Sequence, residues 1–348
     1  MNRRKSKKIS IGHVEIGDFT PVSVQSMCNT DTRDIKSTTD QINKLTDAGC
    51  EIIRVAVLNK EAAESLGKIK KKIKIPLVAD IHFDYRLAVQ SIEQGVDGLR
   101  LNPGNIGKKE HIEKIVKPAK ARRIPIRIGV NSGSLEKNLS HEKEDIADSL
   151  VKSALNQIKI FEDLDFDLIK ISLKSSSVPI MINAYRKIAN LVDYPLHLGV
   201  TEAGTLKTGL IKSSIGIGTL LNEGIGDTIR VSLTDDPIEE VFAGYEILKA
   251  LNLRQKGINL ISCPTCGRCQ IDLISLAKKV EDKFKNFEKP ITIAVMGCAV
   301  NGPGEAKLAD IGIAGGIKEG YIFKKGEIIK KVAEENLITA LEEEINLL

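Results

Sequence analysis

Eight short β-branched runs punctuate the first 234 residues: PVSVQSM, EIIRVAV, PLVADIHF, GLRLNP, IRIGVNS, LIKISLK, LHLGVTE and TIRVSLT, starting at positions 21, 51, 76, 98, 126, 168, 196 and 228. Most successive starts lie about 20 to 32 residues apart, which accommodates a strand, a loop and a helix of about 10 to 15 residues. The intervening segments carry apolar residues at helical spacing. The widest interval separates the fifth and sixth runs and holds SGSLEKNLSHEKEDIADSLVKSALNQIKIFEDL, an extended loop followed by a helix. Eight successive βα units predict a (β/α)8 barrel of the TIM type. A doubly wound open sheet is the alternative.

Successive side chains on a strand point to opposite faces, so each run divides into two sets. Ile53, Val55 and Val57, Leu99 and Leu101, Ile126, Ile128 and Val130, Ile169, Ile171 and Leu173, and Ile229, Val231 and Leu233 form an apolar set that should face the helices. The opposite set holds Arg54, Arg100, Asn102, Arg127, Gly129, Asn131, Lys170, Ser172, Lys174, Arg230, Ser232 and Thr234, and should line the barrel and its mouth. Long cations on strands often only snorkel toward solvent. Here the eight runs contain four arginines and two lysines, in a chain where lysine is about three times as common as arginine. Snorkelling would favour the commoner residue, whereas gripping a phosphate with a planar fork favours arginine. Several cations converging on one cavity repel one another unless an anion joins them, and each charge-assisted hydrogen bond to that anion is worth about 1.5–3 kcal/mol. The pattern therefore predicts an anionic ligand with more than one phosphoryl group.

Other strand ends offer Gln25, Ser26 and Asn29, then Asp80 with His82, then Thr201 with Glu202. Asp80 and His82 share one strand face and read equally as a metal site, an acid/base pair or a hydrogen-bonded polar layer. Glu202 is a carboxylate among cations, which stays ionised beside the ligand and suits proton transfer, with a structural ion pair to an arginine as the alternative. His13, His111, His141 and His197 have no partner at informative spacing and read as surface or packed residues. NPGNIG (102–107) reads as a loop whose backbone N–H groups suit phosphate. SIGIGTLLNEGIG (214–226) reads as small residues packed against a barrel, and no Gly-Lys-Ser/Thr phosphate loop is present.

After DDPIEEVFAGYEILKALNL, a helix, the polar stretch 252–257 reads as a linker. It divides a barrel over 1–252 from a small α+β domain over 253–348. In that domain INLIS leads into Cys263-Pro-Thr-Cys266, ITIAVM leads into Cys298-Ala-Val-Asn-Gly-Pro-Gly-Glu305, YIFKKGEIIKKV reads as a hairpin, and EENLITALEEEINLL as a terminal amphipathic helix. Thiols in turns just after strands have metal-ligand spacing. By residue type alone Cys269 is the fourth ligand, and zinc and an iron–sulfur cluster both suit the set. The Gly/Pro turn before Glu305, which brings backbone and a carboxylate close to one centre, tilts the balance toward iron–sulfur.

Composition narrows the setting. With 348 residues, 42% hydrophobic and 28% charged, the chain has the make-up of a folded globular protein, and 51 Lys+Arg against 46 Asp+Glu leave +5, too near balance for nucleic-acid binding by bulk charge. Six cysteines, four of them in the last quarter, do not make a disulfide framework. The basic MNRRKSKK is followed by ISIGHVEIG, too short and polar for a signal-peptide core, and no run approaches the roughly 20 apolar residues of a membrane span. A reducing cytoplasm is the expectation.

The stretches VQSMCNTDT, IIRVAV, ADIHFDYRLA, LRLNPGNIG, RIGVNSGSL, LGVTEAG, EGIGDTIRVSLT, SCPTCGRCQIDL and MGCAVNGPGE closely resemble the bacterial 4-hydroxy-3-methylbut-2-en-1-yl diphosphate synthases, from about residue 12 to 316. The resemblance implies an iron–sulfur oxidoreductase of non-mevalonate isoprenoid biosynthesis, which reductively opens 2-C-methyl-D-erythritol 2,4-cyclodiphosphate. It implies a [4Fe–4S] cluster held by Cys263, Cys266, Cys298 and Glu305, which leaves Cys269 a bystander. By the same resemblance Arg54, Arg100, Arg127, Asn131, Lys174, Arg230 and Ser232 bind the diphosphate, and Asp80, His82 and Glu202 serve polar or proton-transfer roles, with Glu202 the expected proton donor. Flavodoxin or ferredoxin is the implied electron donor. A head-to-tail homodimer is the implied assembly, one subunit's cluster domain covering the other's barrel mouth. Two other readings remain at this stage: a barrel lyase or transferase with a zinc-stabilised tail, and a nucleic-acid binder using the basic arm and a zinc knuckle.

Overall fold

In the computed structural model, which describes residues 2–131, 145–285, 287, 289–298 and 306–348, the chain opens with an antiparallel hairpin, β1 (Ile9–Ile11) and β2 (Val14–Ile16). Its inward residues Ile9, Ile11 and Ile16 form one apolar cluster with Ile52 and Val78, which sit at the starts of two barrel strands. The hairpin thus stoppers the amino-terminal end of the barrel. Three-residue strands are too short for alternation to announce them, so this element was not expected from the sequence.

The barrel follows with strands and helices alternating, except for two successive helices between β6 and β7: β3 (Ser23–Met27), α1 (Ile35–Asp47), β4 (Ile52–Ala56), α2 (Lys60–Lys70), β5 (Leu77–Asp80), α3 (Tyr85–Glu93), β6 (Gly98–Leu101), α4 (Pro103–Ile106), α5 (Lys109–Ala121), β7 (Ile126–Asn131), α6 (Ile146–Glu162), β8 (Ile169–Lys174), α7 (Val178–Ala189), β9 (His197–Leu198), α8 (Leu206–Asn222), β10 (Thr228–Ile229) and α9 (Pro237–Ala250). The eight strands pair in the order β8-β7-β6-β5-β4-β3-β10-β9, every pair parallel. A bridge between Ile171 and Leu196 joins β8 to the residue preceding β9 and closes the ring. All eight runs read from the sequence are present, the last two as two-residue strands. Asp34, Asn59, Asp84, Asp145 and Asp236 each accept a backbone N–H at a helix start, caps worth about 1 kcal/mol apiece. The stretch 102–107 is not the loop expected: Pro103 at the first helical position pre-sets φ, and a single turn, α4, forms. Gly216 on α8 lets the helix approach the sheet, since a Cβ there would stand 2.8 Å from Val200 Cγ2.

The apolar strand faces point outward, as alternation requires. Ile53, Val55, Leu99, Leu101, Ile126, Ile128, Ile169, Ile171 and Ile229 all lie in one core cluster with residues of the surrounding helices.

The described chain divides into two compact units, Met1–Arg254 and Gln255–Leu348. The second unit contains β11 (Ile258–Ser262), α10 (Leu273–Phe284), β12 (Ile291–Met296), β13 (Ile311–Gly316), β14 (Glu319–Lys324), β15 (Glu327–Ala333) and α11 (Leu337–Ile345). Its sheet runs in that strand order, parallel through β13 and antiparallel beyond. Lys325 and Gly326 both hold positive φ, the conformation a two-residue turn needs to match strand twist. Helices α10 and α11 pack on one face through Leu273, Val280, Phe284, Leu337 and Leu341. No helix among the described residues is long and apolar enough to cross a membrane.

Candidate active site

Strand register places Asp80, Arg100, Arg127 and Lys170 side by side on β5, β6, β7 and β8. Neighbouring strands lie about 4.8 Å apart, so four ionisable side chains form a continuous belt on the inner wall. Each is only 2–3% exposed, as is Arg54 on β4. One carboxylate serves two of the cations: Asp80 Oδ1 accepts from Arg100 Nη1 at 3.0 Å, and its Oδ2 stands 3.4 Å from Arg54 Nε. His82 stands at the rim, its Nε2 3.3 Å from Arg100 Nη1 and 3.6 Å from Asp80 Oδ1. Burial alone would raise the Asp80 carboxyl, but Arg54, His82, Arg100 and Arg127 together outweigh it and hold the group well below the usual carboxylate range. Asp80 therefore acts as a buried counter-ion.

Arg127 is different. Its Nε, Nη1 and Nη2 are all buried, and none has a hydrogen-bond partner among the described residues. Burial and the neighbouring Arg54 and Arg100 depress its pKa well below the ordinary guanidinium value. Lys170 Nζ is likewise buried without a partner, and burial followed by Arg127 lowers its ammonium well below the usual range. Beneath the belt, a small void of about 10 Å³ touches Arg127, Lys170, Gln25 and Ile11 of the hairpin.

Toward the carboxyl ends of the strands the barrel opens into a cavity of about 220 Å³ lined by Arg54, Ser172, Lys174, His197, Gly199, Val200, Thr201, Glu202, Arg230 and Ser232. This is where TIM barrels carry their active sites. Of the residues marked from the sequence, Arg54, Ser172, Lys174, Thr201, Glu202, Arg230 and Ser232 line it directly. Asp80, Arg100 and Arg127 form the adjoining buried belt, and Asn131 ends β7 in register with Lys174. Burial lowers the Arg54 guanidinium to about 9 despite Asp80, and burial with Arg54, Arg127 and Arg100 lowers the Lys174 ammonium to about 5. Glu202 holds a φ of 54°, a left-handed conformation seldom taken by residues other than glycine. Strain of this kind costs about 1–3 kcal/mol and clusters at functional sites.

Two residues were missed by the sequence reading. His197 is packed, as one of the two readings had it, but it also lines the cavity, with its Nδ1 2.7 Å from Thr228 Oγ1. Glu240, on α9, reaches Arg230 Nη2 at 3.5 Å while its oxygens accept from Leu233 N–H and Ser26 Oγ. Nothing in the sequence distinguishes the buried Glu240 from the half-buried Glu239 beside it at the start of α9.

In the second unit Cys263 follows β11, and Cys298 lies two residues beyond β12, the adjacent parallel strand. The Gly297 N–H donates to Cys263 Sγ at 3.2 Å, the kind of contact a ligand sulfur receives. Cys266 is exposed, between them in sequence. Cys269 donates to the Ile271 carbonyl and, like Cys263, packs against the domain core. Glu305 lies outside the described residues. Among the described residues no three His, Cys, Asp or Glu side chains are already drawn into one metal-binding group. In donor chemistry, thiols at the ends of neighbouring strands with a backbone N–H on one sulfur, the set fits an iron–sulfur cluster.

Fold and site together define a two-domain enzyme, a TIM barrel with an arginine-rich mouth joined to a small α+β cysteine domain. The chain belongs to the GcpE family: the family model described as the GcpE TIM-barrel domain matches residues 6–245, and that described as the GcpE protein C-terminal domain matches residues 259–347. It is 60% identical over 347 residues to a 4-hydroxy-3-methylbut-2-en-1-yl diphosphate synthase (flavodoxin) from Clostridium acetobutylicum, covering 99% of each chain. It is 58% identical over 344 residues to the enzyme of that name from Geobacter sulfurreducens, covering 99% of this chain and 98% of that one. Among solved structures, the dihydropteroate synthases of Stenotrophomonas maltophilia (TM-score 0.54) and Yersinia pestis (TM-score 0.52) are similar. Both are 11% identical, covering 71% of this chain and 97% and 99% of theirs, a likeness of fold alone.

Proposed function

We infer that this chain is a 4-hydroxy-3-methylbut-2-en-1-yl diphosphate synthase, reducing 2-C-methyl-D-erythritol 2,4-cyclodiphosphate in non-mevalonate isoprenoid biosynthesis. The reaction consumes two electrons and two protons, opens the ring and releases one oxygen as water. The observation that carries this reading, beside family membership, is the mouth cavity itself. Arg54, Lys174 and Arg230 converge on about 220 Å³ with Glu202 the one carboxylate among its lining residues, a charge distribution that fits a diphosphate.

On this reading Arg54, Arg100, Arg127, Asn131, Lys174, Arg230 and Ser232 hold the diphosphate. Asp80 and His82 orient the arginines: Asp80 spans Arg54 and Arg100, and His82 braces Arg100 from the rim. Glu202, with a strained backbone at the cavity wall, would pass a proton to the substrate rather than store one. Cys263, Cys266, Cys298 and Glu305 would hold a [4Fe–4S] cluster, which supplies electrons singly when bound. Flavodoxin, which stands in the relatives' name, is the favoured donor, with ferredoxin the alternative. A head-to-tail homodimer and a cytoplasmic location belong to the same reading, the latter because thiolate clusters need a reducing compartment.

The test is anaerobic purification with iron, sulfide and zinc analysis, followed by turnover of the cyclodiphosphate with reduced flavodoxin. A brown protein with about four irons per chain and product formation is expected. A colourless zinc protein without turnover would overturn the proposal in favour of a zinc-stabilised lyase or transferase.

A further inference from the structure

Two nitrogen bases reach the open cavity at the mouth, whereas the unpartnered Arg127 and Lys170 lie buried in the belt. Lys174 closes β8, and His197 opens β9; both line the cavity of about 220 Å³. Among the described residues no carboxylate comes within 4.0 Å of the Lys174 ammonium or the His197 ring nitrogens. The charged groups facing them come from every side of the barrel: Arg54 on β4, Asp80 on β5, Arg100 on β6, Arg127 on β7, Lys170 on β8, Arg230 beyond β10, and Glu202 after β9. Asp80 is already engaged by Arg54 and Arg100, and Glu240 by Arg230. The field at Lys174 and His197 is therefore dominated by positive charge.

We propose that Lys174 and His197 enter the substrate complex as neutral bases and that each takes up a proton when the cyclodiphosphate dianion fills the cavity. The proposal deepens, and rests on, the function inferred above. It makes the two residues the proton store for the two protons the reaction consumes. The balance closes on the substrate. Two electrons from the reductant, flavodoxin in the relatives' name, cleave the two C–O bonds. One proton joins the departing hydroxyl, which leaves as water. The other joins the phosphate oxygen set free when the ring C–O–P link opens, and both bases end the cycle neutral, ready to reload from solvent.

The free-state chemistry agrees. Burial, then Arg54, Arg127 and Arg100, brings the Lys174 ammonium to about 5, and burial, then chiefly Arg127, holds the His197 imidazolium well below its usual range. An opposite charge within about 4–6 Å reverses that pressure. The Nδ1 contact to Thr228 Oγ1 fixes the ring of His197 against the wall. The substrate itself is silent: each phosphorus of a cyclic diphosphate carries one strongly acidic oxygen, fully ionised at neutral pH, so any proton taken up on binding belongs to the protein.

Calorimetric titration of the oxidised holoenzyme with the cyclodiphosphate, without reductant, in three buffers of different protonation enthalpy at pH 7.5, reads the proton uptake directly. About two protons per site are expected, one from each base. Lys174→Arg, which keeps a charge that cannot be lost, should still bind but lower the uptake by about one proton, and His197→Asn should lower it by about one as well. Binding whose heat is the same in all buffers would overturn the proposal while leaving the enzyme reading intact. No binding in any buffer would overturn the enzyme reading and the proposal with it.

Discussion

Arg127 and Arg100 stand side by side on β7 and β6, equally buried, yet replacing each with methionine should move stability in opposite directions. Arg127 has three buried guanidinium nitrogens without a hydrogen-bond partner, so the free protein carries a desolvated charge that Asp80, engaged by Arg54 and Arg100, offsets only through space. Replacing whole buried ion pairs with well-packed apolar side chains is often neutral or stabilising, by up to about 4 kcal/mol, and here there is no hydrogen-bonded pair to lose. In a barrel of this size each kcal/mol is about 2–4 °C of melting temperature. Arg127→Met should therefore melt several degrees higher than the parent protein when no substrate is present. Arg100, by contrast, donates to Asp80 at 3.0 Å, and removing it breaks a buried pair, a loss of about 3–5 kcal/mol.

Binding should follow the reverse order for Arg127. One charge-assisted hydrogen bond to a phosphoryl oxygen is worth about 1.5–3 kcal/mol, so Arg127→Met should bind the cyclodiphosphate roughly 10- to 150-fold more weakly. The assays are thermal unfolding of the free proteins and calorimetric titration with substrate. A lower melting temperature for Arg127→Met would show that its guanidinium is well compensated in the free barrel. Unchanged affinity would remove Arg127 from the diphosphate site. Either result refutes the reasoning.

Lys174 gives a prediction in pH. Its folded-state pKa of about 5 lies below the roughly 10.4 of an unfolded lysine, so between those values the unfolded chain binds the extra proton and stability rises with pH, by up to about 1.4 kcal/mol per unit. Chemical denaturation of Lys174→Met between pH 6 and 9 should show that slope flattened, and an unaltered slope would place the titration elsewhere. In the second unit, Cys298→Ala should lose iron and turnover together, whereas Cys269→Ala should keep its iron, as measured by metal analysis and visible absorption. Iron loss in Cys269→Ala would restore it as a ligand.

What the sequence disclosed follows from which contacts are local. The barrel strands are read from β-branched runs, and sorting Arg54, Arg100, Arg127, Lys170, Lys174 and Arg230 to the inner wall needs only the two-residue alternation of a strand. Which cation meets which carboxylate is another matter. Asp80 lies 20 residues from Arg100 and 26 from Arg54, and it reaches both because β5 is the strand between theirs, a neighbour relation set by barrel closure. Three readings of Asp80 and His82 stood open from the sequence; the structure makes Asp80 the shared counter-ion. His197 escaped notice for the same reason, since its partner Thr228 is 31 residues away on β10. Glu240 is on a helix and shows no periodic signal at all. The β1–β2 hairpin is recognised only by what it covers, Ile52 and Val78.

The belt also explains why a barrel core tolerates so much charge. Parallel register makes Asp80, Arg100, Arg127 and Lys170 neighbours whether or not their charges agree, and a single carboxylate can satisfy two guanidinium groups at most in this geometry. The remaining cations are held in place by the outer apolar faces of the same strands, where Ile126, Ile128, Ile169 and Ile171 are fully buried. Each such side chain contributes about 1.5–3 kcal/mol of burial, so the pair on each strand together offset the several kcal/mol that an unpaired cation on the opposite face costs. The alternation that let the sequence be sorted into two faces is thus also the energetic coupling between them. Isoleucine outside keeps the strand in register, and register keeps an uncompensated arginine inside, where an anionic substrate completes the charge balance that the protein leaves open.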